Sequence, residues 1–102
     1  MKIIEKLSEM IEEELHDAEK YIKCAASWKE ERPSLAAVFY RLSSEEMNHV
    51  QLLHEQVVAL IKEYRDKNGD PPERMQAIYD YLHKKHIEKA NSIKVMQAVY
   101  KG

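Results

Sequence analysis

Glycine, proline and cysteine are scarce in this chain, with two, three and one residue respectively in 102. A many-stranded sheet needs turn residues between its strands, and so little Gly and Pro leaves room only for a few long elements, which points to helices. The lone Cys24 has no second thiol with which to form an intrachain disulfide or a thiolate metal site. No run approaches the roughly 18 apolar residues of a membrane span. The first segment, MKIIEKLSEMIEEEL, meets an acidic residue within five positions, unlike a secretory signal, so a reducing cytoplasm is the expected address. Nor is there an excess of positive charge: 16 Lys and Arg stand against 18 Asp and Glu. Without an overall basic field to hold phosphate backbones, neither nucleic acid nor a membrane is expected as a partner.

What the chain does have is charge (33%) and apolar residues (44%) in helical order. Its length suits a single domain, 1–102. Breaking residues cluster only around Pro33 and in Asn68-Gly69-Asp70-Pro71-Pro72, which divides the chain into three helices of about 2–29, 34–66 and 71–101. Asp70 reads as an N-cap with Pro71 in the first turn of the third helix, and Gly69 suits the end of the second. Short connections make consecutive helices antiparallel neighbours, so the expected fold class is all-α.

Alternating steps of three and four pick out the apolar seam of each helix. In the first helix they select Ile4, Leu7, Ile11, Glu14, Ala18, Tyr21 and Ala25. In the second they select Leu35, Phe39, Leu42, Glu46, His49, Leu53, Gln56 and Leu60. Carboxylates therefore stand where core residues are expected, and Glu46 and His49 share one face a turn apart. If the connection is centred near residue 30, Glu14 precedes it by 16 residues and Glu46 follows it by 16, which puts both at one height in an antiparallel pair. The run Glu12-Glu13-Glu14 leaves the register open by a residue, and any of the three could be the solvated one.

Several unpaired ionisable groups buried at one level would cost several kcal/mol each, a large part of a small domain's stability. A divalent cation removes that cost. Bridging carboxylates with an imidazole nitrogen suit iron, manganese or zinc, and with oxygen donors in the majority and Tyr21 nearby, a dinuclear iron site is the leading expectation.

Glu14-x6-Tyr21, followed 25 residues later by Glu46-x-x-His49, resembles the first half of a rubrerythrin-type ferritin-like domain. EEELHDAEKYIKCA and FYRLSSEEMNHVQLLHEQ also resemble that family's first two helices, and the likeness spans residues from about 5 to 65. It implies a carboxylate-bridged dinuclear iron site, with iron oxidation or the handling of peroxide or oxygen, and Tyr21 hydrogen-bonded to a ligand carboxylate. Two departures matter. The chain has no second Glu-x-x-His and no Cys pair for a rubredoxin-like centre.

A missing half-site has two possible sources. A C2 homodimer could form a four-helix bundle from the first two helices of each chain, with Glu14, Glu46 and His49 contributed twice and the third helix packed outside. Alternatively the third helix could complete the site, since its seam of Tyr79, His83, His86, Ala90, Ile93 and Tyr100 carries two histidines. Depth counting sets His83 and His86 near His54, so they either join the site or form a neighbouring cluster. Trp28 and Cys24 read as packing, and His16 lies off the seam. A helical interaction module without chemistry is the competing expectation; a zinc or manganese hydrolase or lyase is a third.

Overall fold

The computed structural model describes residues 1–102 and consists of three helices with no strand. Helix α1 spans Lys2–Trp28, α2 spans Pro33–Asn68 and α3 spans Glu73–Lys101. The longest helix sets the shape: 36 residues at 1.5 Å per residue give about 54 Å, and the molecule measures 56 × 19 × 17 Å. Its radius of gyration of 16.4 Å exceeds the roughly 13 Å of a compact domain of this length. α1 packs mainly on α2, less on α3, while α2 and α3 meet chiefly through side chains.

Proline and glycine act at the connections for separate reasons. Pro33 begins α2, where its missing N–H costs no hydrogen bond. Gly69 ends α2 at φ 76°, ψ −162°, a conformation essentially restricted to glycine, and its N–H donates to the Arg65 carbonyl at 2.9 Å. Asp70 does not cap α3. Asp70 and Pro71 each precede a proline, a position disfavoured in the helical region, and with Pro72 in the cap position at φ −50°, ψ 143°, α3 begins only at Glu73.

The core seam differs from the one the 3,4 spacing predicts. On α1 the buried residues are Ile4, Ser8, Ile11, Leu15, Ala18, Ile22 and Ala25, so Ile4, Ile11, Ala18 and Ala25 keep their predicted places while Leu7, Glu14 and Tyr21 move to the flank. On α2 they are Ala36, Ser43 and Val50, seven apart, and the entire predicted seam from Leu35 to Leu60 is half-buried or exposed. On α3 only Ile93 is fully buried, while His83 is exposed. Small side chains explain the shift on α2. Ala18, Ala25, Ala36 and Ser43 are each 0% exposed, so the two backbones approach closely enough for Ser43 Oγ to donate to the Ala18 carbonyl at 2.7 Å. Phe39, Leu42 and Tyr21 are too large for that gap and are displaced beside it.

Ile11, Leu15, Ala18, Val50 and Ile93 form the core cluster, flanked by Met47, Leu53, Val57, Ala90 and Met96. Burying an isoleucine fully contributes about 2 kcal/mol. Only 12 of 102 residues are buried, however, and Ile3, Met10, Leu35, Val38 and Leu52 stay exposed. The α1/α2 edge therefore carries a second seam that nothing in the chain covers.

Candidate metal centre

The close α1–α2 contact also sets register. Ser43 bonds to Ala18, and the Tyr21 and Phe39 rings lie 6.3 Å apart, so the level of residue 14 falls beside 46 to 49. There Glu14, Glu46 and His49 converge, each offering one donor atom within 4.8 Å of the other two. His49 Nδ1 lies 3.5 Å from Glu14 Oε2 and 3.6 Å from Glu46 Oε2. The Glu46 side chain is 18% exposed, Glu14 28% and His49 52%. Burial across the group is graded, deepest at Glu46 and least at the imidazole.

Glu46 Oε2 is buried and has no hydrogen-bond partner. A buried acceptor left unpaired costs about 1–3 kcal/mol, and more if it is charged. The donor set of two carboxylates and an imidazole suits a hard or borderline divalent cation, and one bound there would remove that cost. Tyr21 is half-buried against Phe39, and no hydrogen bond joins its hydroxyl to the three residues.

His83 and His86 are not brought into this group. His83 stacks on His54 with ring centroids 5.1 Å apart, and His86 Nε2 lies 3.4 Å from Glu12 Oε1, the oxygen that Lys85 also approaches. Glu12 and Glu14 are two residues apart and so project about 200° from one another. Glu12 faces α3, as does Glu19, whose carboxylate lies 2.6 Å from Lys89 Nζ. The third helix thus gathers its own histidine cluster on the opposite side of α1. Burial holds His54 below its ordinary pKa, reinforced by the charge of His83. Burial also lowers His86, although the hydrogen bond and charge of Glu12 oppose it. Glu19 had no role in the sequence reading and Glu12 entered it only as a neighbour of Glu14; the available signal was their seven-residue spacing opposite a Lys-rich third helix. The hydrogen bond from Lys89 lowers the Glu19 pKa despite partial burial. His16 is exposed.

The metal group opens onto the uncovered α1/α2 edge. Ile3, Leu7, Met10, Glu14 and Tyr21 follow one another on α1 at steps of three, four and seven, and Leu35, Leu42, His49 and Leu60 lie along α2. Glu14 and His49 therefore sit within an apolar stripe that faces outward. No known protein family matches the chain, and neither a curated protein nor a solved structure matches it significantly.

Proposed function

We propose that this chain is a metal-binding protein of ferritin-like type that completes a dinuclear carboxylate and histidine site by pairing with a second copy of itself. The observation that carries the reading is the buried, unpartnered Glu46 Oε2 beside Glu14 and His49. In the proposed pair, Glu14 and Glu46 serve as chelating or bridging ligands, and His49 gives the nitrogen donor from the solvent side. One chain supplies two carboxylates and one imidazole, too few for two six-coordinate metals; two chains supply four and two. The uncovered stripe that flanks the group supports the pairing, since a twofold axis through it would bring two α1/α2 pairs together as four helices. Helix α3, on the far side of α1, would then lie outside the bundle.

Iron fits the oxygen-rich set best, with manganese or zinc as competitors. Iron bound there would supply one-electron chemistry toward dioxygen or peroxide. The chain's own contribution is to hold two carboxylates in place, to shield Glu46 Oε2 and to leave the His49 side accessible. Anaerobic loading with Fe(II), followed by metal analysis per chain, tests the reading. At least one tightly held metal per two chains, lost in Glu46→Ala, is expected. Less metal in the wild type, or no loss in the variant, refutes it and leaves a helical interaction module, for which the exposed Leu35, Val38 and Leu52 speak.

A further inference from the structure

On the other side of α1 from the carboxylates, a cavity of about 400 Å³ opens between the N-terminal half of α1, the C-terminal half of α2 and the start of α3. Small-molecule sites span about 300–1,000 Å³, so this is large for a packing defect. Ile4, Ile61 and Leu82 give it apolar walls, and the stacked imidazoles of His54 and His83 line it beside His86. Lys62 and Arg65 also line it, one turn apart on α2. Lys62 belongs to no ion pair, and Arg65 has none either, donating only from Nη2 to Gln76 Oε1 at 2.8 Å. Asp66 is the single carboxylate lining the cavity. Two uncommitted cations against one anion, next to an apolar hollow, define the chemistry of an occupant with an apolar body and a negative end.

We propose that this cavity binds a small amphipathic carboxylate, its apolar part against Ile4, Ile61 and Leu82 and its carboxylate held by Lys62 and Arg65. The guanidinium fork suits a planar carboxylate and keeps donors free after its bond to Gln76. The site is independent of the metal reading, because it uses none of Glu14, Glu46 or His49 and lies away from the face proposed for pairing.

Octanoate is the probe, read by displacement of a fluorescent anionic dye from the full chain and by calorimetry, with octanol as its uncharged counterpart. Saturable octanoate binding is expected, with octanol at least about tenfold weaker, as loss of a charge-assisted hydrogen bond implies. Lys62→Ala and Arg65→Ala should each weaken octanoate about tenfold. Val58→Trp should abolish binding by filling the cavity; Val58 is 52% exposed, so the larger side chain has room to be accommodated. Should that variant fail to fold, Lys62→Glu reads the same question through charge. Glu46→Ala should bind octanoate as the wild type does. Equal affinity for octanol and octanoate, unchanged affinity in both cation variants, or a loss in Glu46→Ala would each overturn the proposal.

Discussion

Replacing Glu46 by leucine turns the central carboxylate into a measurable free energy. Without metal, Glu46 Oε2 is buried with no partner, a state that costs about 1–3 kcal/mol. The side chain is 18% exposed, so part of that cost is relieved by solvent, and about 1–2 kcal/mol remains for the substitution to recover. Leucine also adds apolar surface between Leu42 of the stripe and Leu53, which packs against the core. For a domain of about 100 residues, such a gain raises the melting temperature by about 5–10 °C. Metal reverses the order. A cation present at 100 times its dissociation constant stabilises the wild type by about 2.7 kcal/mol and the variant hardly at all. Thermal unfolding followed by circular dichroism, in chelator and then with Fe(II) under anaerobic conditions or Mn(II), reads both arms. The expected result is a crossing: Glu46→Leu more stable in chelator, wild type more stable with metal. A variant less stable than wild type in chelator, or equal stabilisation of both proteins by metal, refutes the reasoning.

Three further outcomes follow from the packing and charge. Sedimentation should show a dimer that chelator weakens, and Leu42→Glu, which puts a charge on the uncovered stripe without touching the buried seam, should give a monomer with its helices intact. Burial lowers both His54 and His86 from the ordinary 6.5, so between the folded values and 6.5 the unfolded chain binds more protons. Stability measured in urea should therefore fall as pH drops through 6.5 toward those folded values, and His86→Gln should flatten the slope. Ala18→Leu should cost about 1–3 kcal/mol in urea unfolding, because residue 18 is fully buried where α1 and α2 are closest.

Three helices, their ends near Pro33 and Gly69, and the shared height of Glu14, Glu46 and His49 were all legible in the amino-acid sequence. Scarce Gly and Pro leave few places to turn, and rise per residue along an antiparallel pair fixes which residues are level. Which face each helix turns inward was legible only in part: Ile4, Ile11, Ala18 and Ala25 of the predicted α1 seam are buried, whereas on α2 the whole predicted seam is displaced. Neighbouring 3,4 seams lie only a fraction of a turn apart, and hydrophobicity favours the one richest in Leu, Phe and Tyr. On α2 close packing chose the one with Ala36 and Ser43, which lie against Ala18, since backbones approach only where side chains are small. The same rotation decided the fate of the histidines. It carried Glu12 and Glu19 round to α3, where they meet His86, Lys85 and Lys89. Linear counting had placed His83 and His86 near His54 and left open whether they join the carboxylates; the structure sets them in a neighbouring cluster, with His83 stacked on His54. Asp70 failed as a cap for a local reason, two consecutive prolines, yet whether α3 started before or after them depended on backbone sterics that composition alone does not rank. The sequence by itself determined the helices and the level of the carboxylates along the bundle, because these depend on chain connectivity and rise. Only the tertiary structure decided what faces inward, because that depends on how closely two surfaces fit.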